Sequence, residues 1–196
     1  MTPENPERLV TTQEDTMAPC CARTDDHVHD IRIRSTLDPR TRTPACLLDW
    51  GQAVQALLTP ETVLTTAHDL MAAATAAETD VAFLQWCRDT LKVDTLTAGH
   101  MLIDIRAARP AATGKPALRI QAVAGANTGL PLVHISRGSM KAELNPDEAR
   151  QMAIDWTQVA TAADIDARLR YALGEWDRLT PTDIEDLFRT MRSVQR

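Results

Sequence analysis

Aromatic side chains make up only 4% of the 196 residues, with four Trp, two Phe and one Tyr. A core must then rest on Leu, Ile, Val, Met and Ala, and Ala buries little area per residue. Modest stability is expected unless an interface adds burial. Lysine is nearly missing: Lys92, Lys115 and Lys141 are the three, and every other basic residue is arginine. With abundant Ala and Thr, this fits coding from a high-GC genome. Positive charge is not in excess, since 21 Lys plus Arg stand against 27 Asp plus Glu for a net charge of -6. That argues against an overall basic nucleic-acid binder but leaves room for a local basic patch. No apolar run approaches the roughly 18 residues of a membrane span. Met1 to Glu7 have neither the basic start nor the apolar stretch of a signal peptide. A cytoplasmic protein without membrane contact is expected. The four cysteines need not form a disulfide framework, because a chain of this length can bury a core without one.

What is present is a repeat. Sliding the sequence on itself by 86 positions places Leu58-Thr59-Pro60-Glu61 on Leu144-Asn145-Pro146-Asp147, and Ala74-Thr75-Ala76-Ala77 on Ala160-Thr161-Ala162-Ala163. The first match has a physical reason. Thr59 or Asn145 serves as N-cap, Pro opens the helix, and an acid follows on its positive end. Glu148 completes a capping box in the second copy. Upstream, Ile31-Arg32-Ile33 corresponds to Leu118-Arg119-Ile120, and Ala45 to Trp50 corresponds to Leu132 to Ser136, all strand-like. Gly51 and Gly138 mark turns, and short third strands follow over Ala53 to Leu57 and Met140 to Leu144.

Each copy then continues into helices. Val63, Ala67, Leu70, Ala74, Ala77, Val81 and Leu84 form one seam, matched by Ala149, Ala153, Trp156, Ala160 and Ala163. The last helix has Thr180 as cap, Pro181 at its start and Asp183 supporting the cap. Ile184, Leu187, Phe188, Met191 and Val194 make its apolar face. The expected fold is α+β, with two tandem repeated modules, each a three-stranded antiparallel meander followed by two helices, packed with pseudo-twofold symmetry. Residues 1–28 are read as a flexible tail, 29–109 as the first module, 110–116 as a linker and 117–196 as the second module.

Two constellations could carry chemistry. Cys20, Cys21, His27 and His29 supply two thiolates and two imidazoles, a tetrahedral zinc ligand set, although adjacent cysteines depart from the usual Cys-x2-4-Cys spacing. Read otherwise, they are part of a polar tail. Arg32, Arg34, Arg40 and Arg42 fall on the first strand and the loop after it. Alternation puts Arg32 and Arg34 on one face, where they could contact phosphates or form a solvated face paired with Asp38 and Asp49. Cys46 and Cys87 read as small core residues, and His68, His100 and His134 are isolated from one another. The sequence has no Gly-x-Ser-x-Gly, His-Glu-x-x-His or Walker pattern, so no catalytic residue is assigned and no cofactor beyond a zinc ion on the Cys20 to His29 segment.

The run Leu132-Val133-His134-Ile135, Gly138 and Leu144-Asn145-Pro146-Asp147-Glu148-Ala149-Arg150 resembles short uncharacterised proteins of high-GC actinobacteria, their plasmids and phages. Those have a strand hairpin, then Leu-x-Pro-Asp-Glu-Ala-Arg opening a helix. The resemblance implies a fold element and a source, a phage or mobile element, and assigns no activity. Together these features lead to an expectation of a non-enzymatic binding or regulatory accessory protein acting through protein–protein contacts, with a homodimer among the options. The alternatives are a nucleic-acid-associated regulator using the arginine strip and a zinc-dependent regulator using Cys20 to His29.

Overall fold

The computed structural model describes residues 31–51, 54–109, 117–125, 128–174 and 179–194. The Cys20, Cys21, His27 and His29 set, the 1–28 tail and the 110–116 linker lie outside the described residues. Six strands and four helices follow in the order β1 (Ile31–Leu37), β2 (Pro44–Trp50), β3 (Val54–Leu58), α1 (Pro60–Asp89), α2 (Thr95–Ala107), β4 (Arg119–Ala124), β5 (Pro131–Arg137), β6 (Met140–Leu144), α3 (Pro146–Gly174) and α4 (Pro181–Val194). The fold is α+β with two three-stranded antiparallel sheets, ordered β1-β2-β3 and β4-β5-β6.

Alternation decides which sheet face goes inward. Ile31, Ile33 and Ser35 of β1 pair with Trp50, Leu48 and Cys46 of β2, and all three β2 side chains are buried. Arg32 and Arg34 take the opposite, exposed face. In the second sheet Val133 and Ile135 of β5 and Ala142 and Leu144 of β6 point inward. Gly51 and Gly138 close the β2–β3 and β5–β6 turns at φ of +55° and +59°, a region a side chain disfavours.

The helix starts obey their caps. Thr59 accepts from the Thr62 N–H at 3.2 Å. Asn145 and Glu148 exchange two bonds, at 2.8 and 2.9 Å, and Thr180 and Asp183 do the same at α4, both full capping boxes. Threonine is a poor helix residue, yet Thr66, Thr75, Thr79, Thr157 and Thr161 all sit inside α1 or α3. Each donates its hydroxyl to the carbonyl four residues earlier, which satisfies the hydroxyl without leaving the helix.

The long helices cross over. α1 packs mainly on β4 and β5, α3 mainly on β1 and β2, and the two helices pack on each other. The seam residues Val63, Ala67, Leu70, Ala74 and Ala77 are buried, as are Ala149, Ala153, Trp156, Ala160 and Ala163. They belong to one core cluster that draws on both sheets. Small side chains at the contact let helices approach closely. Arg150 in the second turn of α3 grips Glu78 with both nitrogens at 2.8 and 2.5 Å, so the start of α3 lies beside the later turns of α1. The contact holds the exposed Glu78 carboxyl below its ordinary pKa, chiefly through the Arg150 hydrogen bond.

One buried polar contact fixes where the second sheet begins. The fully buried Thr66 hydroxyl accepts the Ala117 N–H at 2.8 Å, and Arg137 Nη1 donates to the Ala117 carbonyl at 2.6 Å. Thr66→Val keeps the shape but leaves the Ala117 N–H without an acceptor. It is expected to cost about 1–3 kcal/mol, read as a lower urea midpoint at unchanged slope.

Candidate interaction surface

The four arginines singled out in the sequence do not act as one strip. Arg32 and Arg34 share the outer face of β1, as their spacing predicts, but Arg34 lies 3.8 Å from Asp49 on β2. Asp49 also accepts from Gln55 at 2.8 Å, giving the paired polar face that the sequence offers as the alternative. Arg40 and Arg42 sit in the β1–β2 turn. Asp38 accepts the Arg40 N–H at 2.7 Å, and this bond, ahead of those from Thr41, holds its carboxyl below the ordinary range. Arg42 turns toward Glu185 of α4 at 3.9 Å. Glu185 is also bonded at 2.5 Å by Arg170, whose guanidinium lies over the Phe188 ring at 4.0 Å.

Cys46 and Cys87 are buried free thiols. Burial pushes the Cys46 thiol up to about 11, so it stays protonated near neutral pH and is a poor nucleophile. His134 faces Glu143 across β5 and β6 at 2.9 Å, while His68 and His100 are exposed on separate helices. Among the described residues no group of three or more His, Cys, Asp or Glu could hold a metal. None of the described helices is long and apolar enough to cross a membrane.

A surface that departs from an ordinary solvated one is built on α2. Its start is well capped: Asp94 accepts the N–H groups of Leu96 and Thr97, both at 3.0 Å, and the Thr97 hydroxyl at 2.7 Å. The Thr97 hydroxyl does most to hold the Asp94 carboxyl below its ordinary value. Ala98 and Leu102 are the buried side, turned to α1. A buried acid anchors the far end. Asp80 of α1 is fully enclosed; Arg106 Nε donates to its Oδ2 at 2.8 Å and Arg109 Nη2 to its Oδ1 at 2.5 Å. Arg106 Nη2 stands 2.7 Å from the same Oδ2 without hydrogen-bond geometry.

Among the described residues, the other side of α2 is left exposed. Leu96 and Ile103, seven residues apart and so on one face, are 72% and 60% exposed. Trp86 near the end of α1 and Leu91 in the α1–α2 connection are exposed as well. The 86-position step places Met101, Leu102 and Ile105 on Leu187, Phe188 and Met191 of the last helix but does not separate inward from outward positions. The available signal was a short helix with apolar residues on every side, which a surface position cannot satisfy alone. At α4 the expected face also divides. Ile184 and Phe188 are buried, while Leu187 and Met191 stay over 40% exposed, because α3 covers only one edge of the stripe. No protein-family model matches the sequence, no curated protein matches it, and no solved structure matches the fold.

Proposed function

We propose that the chain is a non-enzymatic binding and regulatory accessory protein that acts through protein–protein contacts, with the outer side of α2 as its docking face. The observation that carries this is the exposure of Leu96 and Ile103 on one face of α2, in a chain with few aromatic side chains. Contiguous exposed apolar surface marks interaction sites in folded proteins. Trp86, exposed near the end of α1, is a residue type favoured at binding hot spots.

We read the architecture as a tandem duplication arranged about a pseudo-twofold axis. Support comes from the constant step between corresponding elements. Val54 and Met140 open β3 and β6, and Pro60 and Pro146 open α1 and α3, each pair 86 positions apart. Support also comes from the reciprocal way in which each long helix covers the other half's sheet.

The test compares wild type with a Leu96→Glu, Ile103→Glu double variant. Both positions face solvent, so stability should change by less than about 0.5 kcal/mol per site. Any dimer or partner complex seen by light scattering and native mass spectrometry should be lost. A wild-type protein that is monomeric and holds nothing the variant does not also hold overturns the reading.

A further inference from the structure

The outer faces of the two sheets differ at one register position. In the first sheet Arg32 of β1, Asp49 of β2 and Gln55 of β3 stand side by side. Gln55 donates to the Asp49 carboxylate at 2.8 Å, and the charges of Arg32 and Asp49 cancel. In the second sheet the same row is Arg119 of β4, Ser136 of β5 and Lys141 of β6. The two rows correspond because each borders an apolar one: Ile33, Leu48 and Ala56 in the first sheet, Ile120, Ile135 and Ala142 in the second. A serine thus stands where the first sheet has its acid, and a lysine where it has its glutamine. The second row carries two cations and no carboxylate.

Alternation sets where these side chains point. Ile135 and Ala142 are buried in the core, so the residues on either side of them, and of Ile120 beside them, face outward. Those six, Arg119, Gln121, His134, Ser136, Lys141 and Glu143, line a cavity of about 360 Å³. Arg119 and Lys141 are exposed, and among the described residues neither has an ion-pair partner. The one acid in the cavity is Glu143, a row away, whose Oε1 lies 2.9 Å from His134 Nε2. Its second oxygen and the Gln121 amide have no partner among the described residues.

We propose that this cavity binds a small phosphomonoester that carries hydroxyl groups, of the class of a sugar phosphate. Arg119 and Lys141 lie two strands apart, about 10 Å at the backbone, and both are long enough to lean over the Ser136 between them. A phosphomonoester carries about −1.5 to −2 charge at pH 7, which two cations balance. A carboxylate has two oxygens, and one arginine fork satisfies both. A tetrahedral phosphate group has an oxygen for each of the three strands: the Arg119 guanidinium, the Ser136 hydroxyl and the Lys141 ammonium all donate. The second row takes the rest of the ligand, with Gln121 and the second oxygen of Glu143 bonding to hydroxyls. β4, β5 and β6 hold no Phe, Tyr or Trp, so a nucleobase has no aromatic ring to stack on. The cavity is near the lower end of the roughly 300–1,000 Å³ of small-molecule sites.

This face is separate from α2, and the Leu96→Glu, Ile103→Glu variant leaves it intact, so the two readings fail separately. The probe is ribose 5-phosphate, titrated into the full chain at constant ionic strength and followed by NMR. Inorganic phosphate, ribose and blocked phosphoserine are titrated in parallel. The decisive variant is Ser136→Asp with Lys141→Gln. It writes the first sheet's Arg, Asp and Gln row into the second sheet, a set this chain already carries across three paired strands. Expected are saturable shifts confined to β4, β5 and β6, no binding of ribose, and loss of binding in the double variant. Lys141→Gln alone should weaken ribose 5-phosphate about three- to fivefold. Gln121→Ala should weaken it about threefold and leave inorganic phosphate unchanged. Unchanged binding in the double variant, or shifts centred elsewhere, overturns the proposal. Inorganic phosphate bound as tightly as ribose 5-phosphate means an adventitious ion only, and tighter binding of phosphoserine means a phosphorylated peptide. Either result overturns the assignment to a sugar phosphate.

Discussion

Cutting the chain within the 110–116 connection should give two pieces that do not fold separately and recover structure when mixed. The reason lies in the crossing of the long helices, with α1 on β4 and β5 and α3 on β1 and β2. Alone, the first piece would expose Leu48 and Trp50 on its sheet and Val63 and Leu70 on its helix. The second would expose Val133, Ile135, Leu144 and Trp156, and all eight are buried in the intact chain. Each large apolar side chain contributes about 1.5–3 kcal/mol when buried, so either piece forfeits about 6–12 kcal/mol. Whole domains have about 5–15 kcal/mol in total, and halves of this size have little to spare. Thr66 and Ala117 would also lose each other, since their bond spans the cut. Residues 29–109 and 117–196, each expressed alone, should lack cooperative unfolding by circular dichroism, and an equimolar mixture should regain it. A sharp urea transition in either isolated piece would show that each sheet is stable without the helix that covers it.

The sequence made the elements legible because their signals are local. Alternation in β1, the turn glycines Gly51 and Gly138, the prolines opening α1, α3 and α4, and the capping boxes at Asn145 and Thr180 all lie within a few residues of what they determine. The structure moves the boundaries by a residue or so: β3 runs Val54–Leu58, and β4 begins at Arg119, with the buried Leu118 just ahead of it. Partner choice was not legible. An Ala-rich seam says that a helix has a face to bury, not which sheet will cover it, and Thr66 meets Ala117 51 positions away. The same holds for the candidate site. Leu96 and Leu102 are alike in sequence, yet one is 72% exposed and the other 6%, because the anchor that turns α2 is Asp80 on another helix. The arginine spacing places Arg32 and Arg34 together, but their acidic neighbour Asp49 comes from β2.

Removing the Asp80 carboxylate should undock α2 and with it the proposed docking face. Asp80 sits in α1 with its side chain 0% exposed, and its charge is met by Arg106 and Arg109, 35% and 34% exposed. Removing one partner of a buried ion pair typically costs about 3–5 kcal/mol. Here the arginines retain contact with water and can hydrate once released, which lowers the expectation for Asp80→Ala to about 2–3 kcal/mol. Asp80→Asn keeps the volume and one acceptor, so it should lose about half as much. The damage should be local, because Ala98 and Leu102 are the buried side chains of α2, and two such contacts cannot hold a 13-residue helix in place. Hydrogen exchange should therefore accelerate across residues 95–107 while the α1–α3 seam stays protected. If the α2 face is the docking surface, Asp80→Ala should also weaken partner binding at temperatures where the rest of the fold is intact. The Leu96→Glu, Ile103→Glu variant should abolish binding without loosening the helix. A variant of Asp80 within about 0.5 kcal/mol of wild type, with exchange on α2 unchanged, would mean that Ala98 and Leu102 suffice and that the buried charge cluster is not what positions this face.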